Sequence, residues 1–334
     1  MKNYPDHIIN SNFRQILKKK IPEHLSAIDE IAVLLDINYD ASYRRLNGSV
    51  NFSLEEAVKI SQKLNISLND LFAIGDPNSL IVTEYKPILT VNDFNDFLIN
   101  ISKEIYPMAE KEDNSIIFAA KELPVFYFLN QPILIKFQFY LWYTLSNLNN
   151  LKKRNPFEQF IISNKLIENA KNISRIYKNI NLTEIWSFGA INIILQQLLY
   201  LFKIKKINLY EIESICGALI SELNLLEEQT SYKNNTKRNF HLYYNEINVN
   251  NNSMILNKRG TRKLIYPSTL VNFLIVDHQR ICEEHETYLH DQLIYCINIC
   301  ETNIKEHFAF FNNKYNKINQ LLNHIKNEKQ EILF

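Results

Sequence analysis

Three helix-start signals crowd into the stretch between residues 26 and 72. Ser26–Asp29, Ser53–Glu56 and Ser67–Asp70 each set a hydroxyl ahead of an acid at capping-box spacing, where the hydroxyl can accept from the third residue's backbone N–H. Asn38 can cap a further helix between the first two. Helices are therefore expected to begin near 27, 39, 54 and 68. With "NFRQILKKKI" ahead of them, this makes five short helices in one small domain.

The step from 27 to 47 has the most specific pattern. "IDEIAVLLDI" sets Ile28, Ile31, Ala32 and Leu35 on one side, and the small Ala32 lets another helix cross closely. "DIN" is a short turn with Ile37 turned inward. "YDASYRRLNG" is a second helix, ended by Gly48 at a C′ position. Two helices joined by so short a turn cross steeply, the geometry of helix-turn-helix, and the second can enter a major groove about 12 Å wide. Asp40, Tyr43, Arg44 and Asn47 share one polar face. Arginine can bind guanine or a phosphate, and asparagine can read adenine or position a phosphate. The helix starting at Ser53 can cradle a phosphate at its N-terminus. The candidate DNA-binding residues are Asn38, Tyr39, Asp40, Tyr43, Arg44, Arg45, Asn47 and Ser53, and double-stranded DNA is the expected partner. The plainer reading is a small helical domain with its arginines on a solvated face, serving as a protein-binding adaptor.

"IAVLLDINYDASYRRLNGSVNFSLEEAVKISQKLNISLNDLF" resembles the Cro/CI-type (XRE, lambda-repressor-like) helix-turn-helix domain. The matching features are Ala32, Ile37, Gly48 and, most specifically, the closing "SLEEAVKISQKLNISLNDLF". The wider layout, with "DASYRRLNG" and "FAAKELPVFYFL", resembles a group of long bacterial regulators with this domain ahead of a large uncharacterised region. The helix-turn-helix resemblance covers about a fifth of the chain. It implies base reading by Tyr39, Asp40 and Arg44, with Asn47 near a phosphate. The sequence departs from that family at Ser42 and Arg45, where apolar residues are usual; its apolar residue is Leu46. A rotated or longer helix would accommodate the difference.

Beyond residue 75 the sequence speaks of architecture more than chemistry. A composition 46% hydrophobic and 12% aromatic can bury large cores, and 334 residues suit two or three domains. Five glycines and nine prolines are few for an all-β chain with many tight turns, which favours long helices. The expected fold is mainly α: an N-terminal five-helix, lambda-repressor-like domain over 1–75, a linker over 76–90, and a larger helical domain over 91–327 containing a small antiparallel β-sheet near 240–267. Residues 328–334 read as a tail. Helices are expected at about 91–106, 125–149, 156–179, 183–203, 209–228, 270–298 and 302–327. "FHLYYNEI", "NSMILNK" and "RKLIYPS" are expected to be the three strands.

The formal charge of +1 supplies no global basic field, so nucleic-acid contact must come from a local patch. Weak binding by a monomer, strengthened in a homodimer, suits that balance. The scattered cysteines at 216, 282, 296 and 300 are no disulfide framework. The N-terminus has no apolar signal core, and the most apolar runs are broken by charges and prolines. A cytoplasmic protein without a membrane segment is expected.

No Gly-rich phosphate loop, G-x-S-x-G or H-E-x-x-H motif occurs. His278, Cys282 and His285 could share a helix face, but their spacing matches no common zinc pattern. No catalytic residue, metal or cofactor is expected. The aromatic residues of 118–143 fit a helical core; the sharper alternative is a ligand pocket or dimer seam. The expectation is a sequence-specific transcriptional regulator whose C-terminal domain dimerises, senses a small molecule or protein effector, or both. The alternative is a phage-defence or mobile-element protein whose head docks DNA or a partner and whose large domain is an effector or scaffold.

Overall fold

The computed structural model describes residues 6–22, 25–64, 66, 82–84, 90–146, 155–231, 240–246, 252–268 and 272–331. The chain divides into two compact units, residues 1–81 and 82–334. The helix expected from Ser67 lies outside the described residues.

In the first unit, helices α1 (Asp6–Lys20), α2 (Ala27–Leu35), α3 (Tyr39–Asn47) and α4 (Leu54–Leu64) close on one core. Phe13 and Leu17 lie one turn apart on α1 and are buried with Ile31, Leu46, Phe52 and Ile60. Phe13 meets Phe52 edge-on, with ring centroids 5.2 Å apart. The three expected caps that fall on described residues form. Ser26 Oγ accepts from Asp29 N and Asn38 Oδ1 from Ala41 N. At Ser53 the box is reciprocal, since Ser53 Oγ accepts from Glu56 N while Ser53 N donates to Glu56 Oε2.

The second unit corrects the expectation of a helical domain with a small antiparallel sheet. Its centre is a mixed sheet of eight strands among the described residues, counting a two-residue edge strand. In chain order the elements are β1 (Val82–Glu84), α5 (Asp93–Ile105), β2 (Ser115–Ala120), α6 (Val125–Phe128), α7 (Pro132–Leu145), α8 (Asn164–Tyr177), β3 (Asn181–Ser187), α9 (Asn192–Lys203) and α10 (Leu209–Thr230). There follow β4 (Phe240–Asn245), β5 (Ser253–Lys258), β6 (Thr261–Pro267), β7 (Phe273–Val276), α11 (Gln279–Leu293), β8 (Ile297–Asn298) and α12 (Ile304–Glu331). The spatial order is β1-β7-β6-β5-β2-β3-β4-β8. β2, β3 and β4 are parallel, with Phe118 opposite Glu184 and Glu184 opposite Leu242. The remaining pairings are antiparallel.

The three strands expected at 240–267 do form, but β4 is parted from β5 by β2 and β3. The helix expected over 183–203 divides into β3 and α9, and β7 takes the start of the helix expected at 270. The reason is burial on both faces. Ile116, Phe118 and Ala120 of β2 enter the large core under α5 and α7–α10. Ile117 and Ala119 enter a smaller core under Cys282 and Leu289 of α11. A strand apolar on both sides loses the alternation that marks a strand in sequence. The expected aromatic helix of 125–149 breaks at 129–131 and restarts with Pro132 at its first position.

Two glutamates and a lysine are almost fully buried here. Glu184, 0% exposed, accepts from the hydroxyls of Tyr177 (2.6 Å) and Tyr127 (2.9 Å) and from Trp186 Nε1 (2.8 Å). Burial pushes its carboxyl up to about 7 against the pull of those donors. Glu222 accepts from Lys178, Asn130 and Gln131. The Lys314 ammonium sits 3.2 Å from the Phe310 ring centroid, and burial, helped by Lys317, lowers it to about 7. No described helix is long and apolar enough to cross a membrane.

Candidate nucleic-acid interface

The helix-turn-helix step is built by three local devices. α2 ends at Asp36, which is left-handed at φ 58°, and Ile37 N bonds back to Ala32 O. Ile37 packs against the core. Asn38 then starts α3, and Gly48, at φ 93°, stops it. Non-glycine residues rarely hold such a φ, and at a helix end it satisfies the last carbonyls.

What α3 turns inward explains the departure noted at Ser42 and Arg45. Ser42 is buried, and its hydroxyl donates to Ile28 O at 2.7 Å. Leu46 is buried beside it. Arg45 is half-buried: its guanidinium reaches Glu56 at 2.6 Å and also donates to Ala41 O. The hydrogen bond to Glu56 raises Arg45 above its usual range, and the same bond lowers the Glu56 carboxyl. The polar residues at family-apolar positions thus fix α3 against α2 and α4.

Of the candidate residues, Tyr39, Asp40, Tyr43, Arg44 and Asn47 lie exposed on α3, with Tyr39 54% and Tyr43 49% accessible. The Arg44 guanidinium has no hydrogen-bond or ion-pair partner among the described residues. Asn47 Oδ1 accepts from Ser49 N, leaving its amide N–H groups outward. Asn38 uses its side-chain oxygen as a cap, Ser53 is exposed at the head of α4, and Arg45 is engaged by Glu56.

Two positioning residues are invisible locally in the sequence. Arg14 donates to Arg45 O at 2.9 Å and to Asn51 Oδ1 at 2.8 Å. Asn10 Oδ1 accepts from Phe52 N. Arg14 ties α1 to the end of α3 and Asn10 ties it to the turn ahead of α4, but their partners are more than 30 residues away, so no spacing announces them.

Residues 5–90 match the family model described as the BetR domain. This is a small N-terminal domain of helix-turn-helix type. The match covers the N-terminal quarter of the chain, fits the head of a DNA-binding regulator, and is not specific to the Cro/CI-type family. No curated protein and no solved structure matches the chain.

In the second unit two of the three candidate zinc residues have other partners. Cys282 Sγ donates to Val276 O and His285 Nε2 lies 2.9 Å from Ser253 Oγ, while His278 stands at the head of α11. Among the described residues no group of three or more His, Cys, Asp or Glu could hold a metal ion.

Proposed function

We propose that the protein is a sequence-specific DNA-binding transcriptional regulator of the cytoplasm. α3 is its recognition helix, and the second unit serves dimerisation and effector binding rather than catalysis. One observation carries this reading. α3 spends Ser42, Arg45 and Leu46 on anchoring while Tyr39, Asp40, Tyr43 and Arg44 stand outward, joined by Asn47, whose Oδ1 accepts from Ser49 N. A helix held this rigidly, with an unpaired arginine one turn in, can present its donors to base edges in the major groove. Asp40 can accept from cytosine N4 or steady the helix start. Two heads in a homodimer would span half-sites about one duplex turn apart.

The test is a salt-titrated binding measurement of the full chain on the gene's own upstream DNA. Arg44→Ala is expected to cost about 1–3 kcal/mol and to relax preference at one base pair. Unchanged binding at physiological salt would sink the assignment of Arg44. Full-chain binding no tighter than to random duplex would leave the head as a protein-docking module.

A further inference from the structure

At the carboxyl end of β2 the chain turns through residues 121–124 into α6. β5 runs antiparallel to β2, with Ala119 opposite Ser253, so Asn252 at the start of β5 lies beside that turn. Here the parallel half of the sheet meets the antiparallel half, and crevices at the carboxyl ends of strands where the winding changes are the usual ligand sites of α/β sheets.

A cavity of about 170 Å³ opens at this place. Its walls include Phe97, Phe118, Phe126, Trp142 and Phe273. Glu122 is the one ionisable residue among its described lining. The carboxylate is held in place: Asn252 Oδ1 accepts from the backbone N–H of Lys121 (2.8 Å) and Glu122 (3.4 Å), and Asn252 Nδ2 donates to Glu122 Oε1 at 2.9 Å. Glu122 Oε2 has no partner among the described residues. Burial raises this carboxyl above the usual range, while Asn252 and Lys121 pull the other way.

Size and charge together select a ligand class. An apolar cavity of about 150 Å³ accommodates benzene, so one ring with a short head fills this one. An anchored carboxylate with an unused oxygen gains most from a ligand that supplies a charged donor. The surrounding aromatic faces favour the same charge. We propose that this cavity binds a small primary amine bearing one apolar ring, its ammonium on Glu122 and its ring between the aromatic walls. In the regulator reading this amine is the effector, but binding at the cavity does not rest on that reading.

The experiment is isothermal calorimetry of the full chain, without DNA, using benzylamine, benzyl alcohol and benzoate as size-matched probes. Benzylamine is expected to bind saturably with one site per chain, about tenfold or more tighter than benzyl alcohol, and benzoate not to bind. Glu122→Gln keeps an oxygen for Asn252 and should erase the amine's advantage; Glu122→Asp keeps the charge and should retain it. Benzoate or benzyl alcohol binding as well as benzylamine overturns the proposal, as does unchanged amine affinity in Glu122→Gln or saturable binding of none. If a variant fails to melt cooperatively, the three-probe ranking on the wild type decides. The DNA-binding measurement is separate, so either reading can fail alone.

Discussion

Arg44 and Arg45 are consecutive, yet only Arg45 has a partner carboxylate in the described structure, Glu56, which also closes the capping box at Ser53. Glu56→Ala therefore removes two supports at once. It should destabilise the first unit by about 1–2 kcal/mol, from the lost cap and the lost ion pair together. Hydrogen exchange of the amides of α3 and α4 would read this directly; protection equal to wild type would refute it. The pH dependence has a definite sign. The folded carboxyl is held below its ordinary value, so its contribution is present above the ordinary carboxylate range and fades as the pH falls through the folded value.

The helices of the first unit announce themselves because each needs a cap, and caps are local. Gly48 is the clearest case: its φ of 93° is one that a side chain rarely adopts, and a Cβ there would meet Arg14 Nη1 at 3.2 Å. Gly48→Ala should lower the melting temperature of the first unit by the equivalent of about 1–2 kcal/mol; a neutral effect in urea melts would contradict the role assigned to the turn. The exposed face of α3 was readable from Asp40, Tyr43, Arg44 and Asn47 by helical spacing alone. The engagement of Arg45 with Glu56 was not, because it depends on how α3 is rotated against α4. The strands of the second unit were hidden for a different reason. "SIIFAA" is buried on both faces, so it shows no polar side and its pattern assigns it to no element, while "NLTEIWS" overlaps the helix expected over 183–203. "NLTEIWS" also carries Glu184, a charge that ordinarily argues against a core strand. Only the two tyrosines and the tryptophan that converge on it make the position tolerable.

Across the whole molecule, Glu184 and Lys314 oppose each other in their response to pH. The folded Glu184 carboxyl lies near 7, above its ordinary 4.5, so the folded state holds the extra proton and stability declines as pH rises from about 4.5 to about 7. The folded Lys314 ammonium lies near 7, below its ordinary 10.5, so stability recovers as pH rises from about 7 towards 10.5. Each contributes on the order of 3–5 kcal/mol, and together they should give a minimum near neutrality in urea midpoints taken across that range. Glu184→Gln should flatten the acid limb and leave the alkaline limb; a variant that keeps the acid limb would assign it to other groups. The strand order also sets a timetable for biosynthesis. The first unit closes on residues that leave the ribosome early, whereas Val82 pairs with Val276 and Ala119 with Ser253. During most of translation β1 has no neighbour and β2 has one side open, the kind of naked strand edge that invites association between nascent chains. The sheet is sealed only when its late strands arrive, so the nascent chain carries a finished head well before it carries a finished body.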